Sequence, residues 1–369
     1  MKDIYELLND IDIDENEFEE MEVSELEKAR VKKAIRKSLS EKKKKKSWKK
    51  YIAASAIIIG LSVSAFGISF PAYAGNIPVI GDIFRFLDNG RTGLYDDYKE
   101  YSTEFNMTEE SKGIRVTIND AIYDGKTVSL TYSIESEYDL GDDPFIHEFL
   151  DIKGSNGQAG SSIISKVDDN HYVGLVTASN LGLTNDETVK VKWKIESITN
   201  QETQEEINGN WNFALKLDAT ESVTQKNDQS SERNGVQVRI GDISITPMSF
   251  IVYYDQIVSQ EVRDRWHGVE VEIEVKDDLG NHYSGEGNGG TGDSEGYHIS
   301  WSKTFEKLDE NATKLIITPT ITLIEYTSDN FGGVEITENG EHKKMTIPTK
   351  PGKGREEFVL KDIVIELEK

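Results

Sequence analysis

From about Gly113 onward, apolar and polar residues alternate with a period of two, which is the pattern of half-buried β-strands. Turn-forming residues separate the runs, and no helical period lies between them. Many short strands without intervening helices predict a mainly β chain with two antiparallel β-sandwiches of the immunoglobulin-like kind. The apolar positions of the clearest runs are Val128, Leu130, Tyr132 and Ile134; Val189, Val191, Trp193 and Ile195; Trp211, Phe213, Leu215 and Leu217; and Val269, Val271, Ile273 and Val275.

One segment interrupts the alternation. Residues 219–231, with the sequence ATESVTQKNDQSS, are polar and have no period. We interpret them as a linker between a first β domain over 101–218 and a second, immunoglobulin-like domain over 232–369.

The first 50 residues have a different, helical period. Ile4, Leu7, Leu8 and Ile11 follow the spacing of one helical face, which predicts a helix over 3–11. A capping box from Ser24 to Glu27 predicts a second helix over 25–40. Residues 1–50 are too few to bury a core, so we expect this helical head to need a partner or to remain a solvated stalk.

A stretch without charged residues follows the head, and its helical part ends near Phe70 because Pro71 interrupts a helix. Residues 51–70 are 20 in number, and about 20 residues at about 1.5 Å each cross a membrane core about 30 Å thick. We predict a single transmembrane helix there, with the N-terminus in the cytoplasm of a bacterial cell and the bulk of the chain outside, because a basic collar precedes it. The collar lysines are Lys42, Lys43, Lys44, Lys45, Lys46, Lys49 and Lys50.

The same stretch also fits a cleaved signal peptide. Ala72, Tyr73 and Ala74 before Gly75 match the small-x-small cleavage pattern. The long head before the apolar run favours an uncleaved anchor, because the charged region of a signal peptide is short. Cleavage between Ala74 and Gly75 stays an alternative.

Two further features concern the predicted membrane helix and the residues that follow it. Ala56, Gly60 and Ser64 recur every four residues, a stripe through which two membrane helices can associate weakly. The juxtamembrane segment 75–100 is too apolar for a free linker, so its side chains should lie on the membrane or dock against the folded body. Its apolar residues are Ile77, Val79, Ile80, Ile83, Phe84, Phe86 and Leu87.

Charge and composition narrow the classes of function. The net charge is −25, although residues 28–50 contain thirteen bases and one acid. Nucleic-acid binding is not expected, because phosphate contacts need clustered cations on the folded body. Cysteine is absent, which removes disulfides, thiolate metal sites and cysteine nucleophiles.

The search for catalytic chemistry gives no motif, so we predict a protein that is not an enzyme and needs no cofactor or metal. Residues 285–290 satisfy Gly-x-Gly-x-x-Gly, but the motif lies between predicted strands and opens no helix, so we interpret it as a long hairpin loop. Oxygen ligands around this loop could hold calcium, although a solvated acidic loop is the favoured interpretation. These acidic residues are Asp277, Asp278, Glu286, Asp293 and Glu295.

Several segments together resemble the bacterial membrane proteins called domain of unknown function 4179. They are the head, the lysine run, PAYAGNIPVIGDIFRFL and VTINDAIYDGKTVSLTYSIES. The second β domain, with IGDISITPMSFIVYYD, is similar to the immunoglobulin-like domain that commonly follows. The resemblance implies an anti-sigma-factor-like role and brings no catalytic residues. The head contains no cysteine and therefore lacks the zinc motif of other anti-sigma domains.

These observations lead to two hypotheses about function. In the first, the chain is a membrane regulator whose head holds a cytoplasmic protein such as a sigma factor, while the β domains sense an external signal. In the second, it is an exported surface protein that binds or builds the cell envelope and has an inert head. The residues expected to contact the partner in the first hypothesis are Ile4, Leu7, Leu8, Phe18, Leu26, Ile35 and Leu39.

Overall fold

The structure is a computed structural model that describes residues 82–368, except 156, 183–186, 294–295, 328–329, 332–333, 337–341 and 345–346. The predictions for the helical head, the collar, the membrane helix and the cleavage pattern lie outside the described residues. Gly75–Lys369 form one compact unit, which is separate from Met1–Ala74. The fold described below is that of Gly75–Lys369.

The first sandwich consists of a five-stranded sheet in the order β1-β2-β3-β6-β5 and a three-stranded sheet in the order β4-β7-β8. Adjacent strands are antiparallel, which is consistent with the short turns between them. The strands are β1 (Thr103–Ser111), β2 (Ile114–Tyr123), β3 (Thr127–Ser136), β4 (Phe145–Ile152), β5 (Gln158–Lys166), β6 (His171–Asn180), β7 (Thr188–Thr199) and β8 (Glu206–Asp218).

The core of this sandwich lies between the two sheets and contains the residues that the alternation selects. Trp193 on β7 pairs with Phe213 on β8, and both are buried. The ring of Trp193 reaches Tyr132 on β3 of the opposite sheet, with centroids 4.9 Å apart. The expected mainly β structure is therefore confirmed, and aromatic packing joins the two layers.

The second sandwich also has two sheets, in the orders β10-β11-β12-β16-β15 and β14-β13-β17-β20, with β9 beside β11 and β21 beside β17. Its own apolar core includes Phe250, Phe305 and Ile321. The pair β18–β19 stands apart from both sheets. The strands are β9 (Val223–Gln225), β10 (Ser230–Arg233), β11 (Val236–Ile245), β12 (Phe250–Val258), β13 (Gly268–Asp277), β14 (His282–Tyr283), β15 (Gly285–Gly292), β16 (His298–Phe305), β17 (Lys314–Ile324), β18 (Val334–Ile336), β19 (His342–Lys344), β20 (Arg355–Val359) and β21 (Ile363–Glu366).

Both sandwiches have the same strand order. If β2, β3, β6 and β5 are lettered A, B, E and D, then β4, β7 and β8 are C, F and G. In the second sandwich β11, β12, β16 and β15 take the places of A, B, E and D, and β13, β17 and β20 those of C, F and G. A–B–E–D on C–F–G is the arrangement of constant-type immunoglobulin domains.

The segment predicted as a linker, 219–231, is partly strand instead. Val223–Gln225 form β9 and pair with β11, and Ser230 begins β10. Strand pairing uses backbone groups, so an edge strand needs no alternation of apolar side chains, and the only buried residues of β9 and β10 are the polar Gln225 and Ser231. For this reason the hydrophobic pattern did not identify these strands.

Helices are short in the described part of the chain: α1 (Ile83–Asp88), α2 (Tyr98–Tyr101) and α3 (Gln260–Arg265). Among the described residues none of the helices has the length and apolar character that a membrane crossing requires. The juxtamembrane segment docks against the body where it is described, because Ile83 and Phe84 are buried, although Phe86 is exposed. Ile77, Val79 and Ile80 lie outside the described residues.

Candidate functional site

The chain enters the folded body through residues 82–102, which we call the strap. Helix α1 begins after Asp82, whose side chain accepts a hydrogen bond from the backbone N–H of Arg85 at 3.1 Å. The helix ends at Asn89 in the left-handed conformation, with φ of 48°. A carboxylate N-cap and an asparagine at the C-terminal end are favourable choices, so the local sequence defines this first turn of the strap.

Aromatic side chains of the strap form a small core of their own. Phe84 stacks on Tyr95 at 6.2 Å between ring centroids, and Tyr95 meets Tyr98 edge-on at 4.9 Å. Because all three side chains are buried, the strap is packed into the body over most of its length. The same cluster contains Ile122 and Leu175 of the first sandwich and Met248 of the second.

A buried carboxylate fixes the bend in the strap between α1 and Leu94. Asp88 accepts hydrogen bonds from the hydroxyl of Thr92 at 2.5 Å and from the backbone N–H of Gly93 at 2.9 Å. Burial alone would raise the pKa of Asp88, but these hydrogen bonds hold it below its ordinary value. The charged form is therefore the one that stabilises the bend.

Polar contacts join the strap to strand β15 of the second sandwich. The hydroxyl of Tyr95 donates to Glu286 Oε2 at 3.0 Å, and Arg91 Nη2 lies 3.0 Å from Glu286 Oε1. On the other side, Lys99 Nζ lies 2.7 Å from Asp120 of the first sandwich. The strap is therefore bound to both sandwiches.

The two sandwiches also contact each other directly at a buried asparagine. The amide of Asn288 donates to Thr304 Oγ1 at 2.9 Å within the second sandwich. Its oxygen accepts a hydrogen bond from Thr127 Oγ1 of the first sandwich at 3.3 Å. We call this contact region, with Glu286 and Gly289 beside it, the joint.

The glycine-rich segment 285–290 lies in the joint and is not the hairpin loop that we expected. It belongs to β15, which pairs with β16 along the edge of the sheet. A Cβ on Gly289 would lie 2.6 Å from Ala159 Cβ and 3.0 Å from Leu181 of the first sandwich, and φ there is +79°. The glycine thus permits close approach of the two sandwiches rather than phosphate binding.

A cavity of about 300 Å³ lies between the strap, the first sandwich and β15. Most of the residues that line it carry hydroxyl, amide or carboxylate groups, so a small ligand there would find several hydrogen-bonding partners. Its wall includes Asp124, whose carboxylate accepts from the backbone N–H groups of Lys126 at 2.8 Å and Thr127 at 2.6 Å. Burial nevertheless raises the pKa of Asp124 to about 6. The polar groups of the lining include Tyr95, Tyr98, Asp124, Thr127, Glu286 and Asn288.

The carboxylates considered as calcium ligands do not come together. Asp277 binds the amide of Asn281 at 2.7 Å, and Asp278 accepts from the hydroxyl of Thr313 at 2.5 Å. Asp293 accepts from backbone N–H groups of the following turn, and Glu286 lies in the joint. Glu295 lies outside the described residues. Within the described part of the chain, no group of three or more histidine and acidic side chains is arranged as a metal site would be.

A histidine, a serine and a carboxylate do meet on the second sandwich, but not in a catalytic order. Asp255 Oδ1 lies 3.0 Å from His298 Nε2 and accepts from Ser300 Oγ at 2.6 Å. Arg239 binds the other carboxylate oxygen at 2.6 Å. The serine therefore donates to the acid and not to the imidazole, so the histidine does not activate it as a nucleophile.

The residues predicted to bind a cytoplasmic partner, from Ile4 to Leu39, and the collar lysines are outside the described residues, so those predictions stay untested. The joint and the cavity were not predicted. Their polar residues are scattered over the strap, β3 and β15, and only their meeting in the fold identifies them. The sequence feature that could have indicated this region is the high apolar and aromatic content of the strap.

Comparison with known proteins agrees with this architecture. The family model for domain of unknown function 4179 matches residues 43–136, and a family of unknown function, DUF5643, matches residues 222–367. The crystal structure of the conserved domain protein from Bacillus anthracis is 50% identical, with a TM-score of 0.70, and the match covers 79% of this chain and 100% of that one. The chain belongs to the family of that protein.

The resemblance to domain of unknown function 4179 is thereby confirmed for the region that runs from the collar to β3. No curated protein matches the chain. The crystal structure of collagen adhesin from S. aureus aligns with 70% of this chain and 94% of that one, at 10% identity and a TM-score of 0.15. That likeness is too weak to support any inference about structure or function.

Proposed function

We propose that the chain is a single-pass membrane regulator, anti-sigma-factor-like, whose head binds a cytoplasmic protein and whose two β-sandwiches form an external sensing module. The sequence of the first 81 residues supports this proposal through its amphipathic segments, its basic collar and its uncharged stretch, whose predicted helical part is residues 51–70. The same proposal locates the protein in the cell membrane and assigns it no catalytic activity.

The observation that carries the proposal is the position of the strap. The strap follows the predicted membrane helix after only residues 71–81, and its Tyr95 and Tyr98 line the cavity. A ligand in the cavity would therefore contact the segment that leads to the membrane. Because the strap also binds both sandwiches, a change at the joint would alter the contacts of this segment.

The first experiment is purification of the native protein from detergent-solubilised membranes through an N-terminal tag, followed by mass spectrometry of everything that copurifies. We expect the full-length chain with a stoichiometric cytoplasmic protein such as an alternative sigma factor. Leu7→Asp and Leu26→Asp should abolish its capture, because each places a charge on an apolar helical face. Asp14→Asn, in the acidic stretch between the helices, is the matched control and should retain it.

Two outcomes would contradict the proposal. Unchanged capture in both leucine variants would exclude the proposed surface. A fragment that ends near Ala74 and carries no partner would instead favour the exported surface protein. Deletion of both sandwiches separates the two hypotheses further, since a regulator without its external module should still change transcription, whereas a surface protein should not.

A further inference from the structure

The outward sides of the two C–F–G sheets are broad exposed surfaces of the folded unit. The A–B–E–D sheets meet at the strap and the joint, and β3 and β6 are consequently buried on nearly all positions of both faces. Strands β7, β8 and β13, in contrast, alternate buried and exposed residues. Each C–F–G sheet therefore has one side on its own core and one side in solvent. We call the solvent sides the first and the second outer face.

The first outer face has a group of adjacent lysines. Lys190 on β7 is directly opposite Lys216 on β8. The backbone N–H of Lys153, just after β4, donates to the carbonyl of Lys190 at 2.9 Å, so a third lysine lies in the same row. Lys192 and Lys194 continue the exposed side of β7. Three neighbouring strands thus contribute positive charge to one surface.

This arrangement is costly and is only partly neutralised among the described residues: Lys194 lies 2.5 Å from Glu196, Lys216 lies 3.7 Å from Asp218, and Asp151 is directly opposite Lys192. Like charges directly opposite each other destabilise a sheet, and the chain as a whole carries a net charge of −25. Among the residues that the structure describes, Lys153, Lys190 and Lys192 have no ion-pair partner. A negatively charged surface placed against this face would remove the repulsion.

The second outer face has the opposite charge on a matching pattern. Glu270, Glu272 and Glu274 are exposed at alternate positions of β13. Alternate residues on a strand are about 7 Å apart, which is the same spacing as that of the lysines on β7. Lys303 contacts Glu272 from the neighbouring sheet, whereas Glu270 and Glu274 have no ion-pair partner among the described residues.

Each outer face also exposes large apolar side chains. On the first, Phe145 and Phe149 of the edge strand β4 are 56% and 64% exposed. On the second, Val359 and Val364 are 48% and 46% exposed. Apolar side chains beside charged rows are typical of surfaces that become buried in an interface. The two faces are thus complementary in charge and similar in apolar content.

We propose that the first outer face of one copy of the chain binds the second outer face of another copy. The charge rows are opposite in sign and equal in spacing, and the exposed apolar residues would be covered on both sides. The two faces belong to different sandwiches, so the contact is heterologous and extends head to tail from copy to copy. This inference does not depend on the proposed function.

The test uses residues 75–369, because they form one compact unit and the crystallised relative aligns over a matching 79% of this chain and all of its own. Sedimentation velocity is measured over a range of protein concentrations near physiological salt, where a Debye length of about 8 Å confines charge effects to contacting faces. We expect the weight-average sedimentation coefficient of the wild type to rise with concentration. Lys190→Glu with Lys192→Glu, and separately Glu270→Lys with Glu274→Lys, should each weaken self-association at least about tenfold.

The decisive sample is an equimolar mixture of the two double variants. Neither variant should associate alone, but each offers the other a face of opposite charge, so the mixture should regain association to within about threefold of the wild type. Lys112→Glu with Lys226→Glu changes the charge equally at exposed positions away from both faces, and it should associate like the wild type. Circular dichroism confirms that each variant is folded.

Two outcomes would overturn the proposal. The first is a wild type that stays monomeric at every concentration, and the second is a mixture of folded variants that does not regain association. In the first case, binding of inorganic polyphosphate through the lysine row would assign that row to a polyanion. Association in the membrane helix cannot mimic the expected result, because the tested unit begins after residue 74.

Discussion

The two sandwiches begin with the same structure at a constant distance of 122 positions along the chain. In the first, Lys112 and Gly113 form a two-residue hairpin loop between β1 and β2, with φ of 55° and 74°. In the second, Asn234 and Gly235 do the same between β10 and β11, with φ of 53° and 76°. Positive φ at both positions defines a type I′ turn, which suits the twist of the paired strands.

The similarity continues through the next strand. Strand β2 has a one-residue bulge after Ile118, and β11 has one after Ile240. On the partner strand, Tyr132 lies opposite Ile118 and Tyr254 lies opposite Ile240. A bulge adds twist and bends a strand, so its place in both A strands gives both sheets the same curvature near the joint.

The turn that follows closes with the same backbone hydrogen bond in both sandwiches, but its backbone and its chemistry differ, because φ of Gly125 is 95° whereas Pro247 holds φ at about −65°. Asp124 accepts from two backbone N–H groups in the first, and Thr246 accepts from the N–H of Ser249 at 3.0 Å in the second. A carboxylate and a hydroxyl both stabilise such turns. The comparison teaches that the hairpin loop and the bulge are repeated while the following turn and the side chains have diverged, so substitutions at equivalent positions can separate the two contributions.

The largest expected difference concerns the cores. Trp193→Ala should lower the free energy of unfolding by about 3–5 kcal/mol, because it removes a buried ring that contacts Tyr132 and Phe213. Phe250→Ala should cost a similar amount in the second sandwich, where Phe250 stacks on Phe305 at 5.1 Å. Urea denaturation measures the loss in free energy of unfolding for each variant. Hydrogen exchange shows in which sandwich the backbone amides lose their protection.

The conservative change Trp193→Phe is the control, and it should cost clearly less than the alanine variant. If each alanine variant exposed amides of both sandwiches equally, the two cores would form one cooperative unit. Loss of protection confined to the mutated sandwich would instead show two units that unfold separately.

The strands and the cores were predictable because burial on one side imposes a period of two. The alternating residues of β7 and β8 are the ones that are buried, as the aromatic pair of Trp193 and Phe213 shows. Strand β15 was missed because five of its eight residues are glycine and carry no side chain to alternate. Strand β1 is an exposed edge strand, so its polar sequence gave no pattern.

The joint and the repeat could not be obtained from the hydrophobic pattern alone. Asn288 and Thr127 are far apart in sequence and look like ordinary polar loop and strand residues. The repeat was detectable in principle, since comparison of the chain with itself at a shift of 122 aligns both hairpins without a gap. The identical pairs in that alignment include Gly113 with Gly235, Val116 with Val238, Ile118 with Ile240, Asp120 with Asp242, and Tyr132 with Tyr254.

A second prediction tests whether the joint makes the two sandwiches behave as one. Gly289→Ala should lower the free energy of unfolding by about 2–4 kcal/mol, since the new Cβ combines a left-handed backbone with a clash against Ala159. Gly280→Ala is the matched control: φ is +95° there and nothing lies within 4 Å of the new atom. It should show only the backbone cost of about 1 kcal/mol.

Differential scanning calorimetry checks this prediction. We expect Gly289→Ala to separate one unfolding transition into two, or to widen an existing separation between two transitions. Gly280→Ala should lower only the temperature at which the second sandwich unfolds. Equal effects of the two substitutions would mean that close approach at Gly289 does not couple the sandwiches.

The third prediction uses the different chemistry of the two turns. The pKa of Asp124 is raised from 3.8 to about 6 by burial, so the folded protein binds a proton more tightly than the unfolded chain between these values. The resulting stability is fully present below pH 4 and is lost as the pH rises through about 6. Relative to Asp124→Asn, the wild type should gain on the order of 1–3 kcal/mol as the pH falls from 7.5 to 4.

Urea denaturation at a series of pH values measures this difference. Thr246→Ala, at the equivalent position of the second sandwich, changes no titratable group and should keep the pH dependence of the wild type. The same pH dependence in the wild type and in Asp124→Asn would show that Asp124 is not the group that titrates.

The smallest expected effect comes from the two hairpin loops, whose backbones are nearly identical. Lysine at position 112 occupies the left-handed region at a cost, whereas asparagine at position 234 is among the residues that tolerate it best. Lys112→Asn should therefore stabilise the protein by about 0.5 kcal/mol, and Asn234→Lys should destabilise it by a similar amount. Equilibrium denaturation of both variants measures the pair of effects. If both substitutions changed stability in the same direction, the side chains around each loop, and not the shared backbone, would determine the stability of the hairpins.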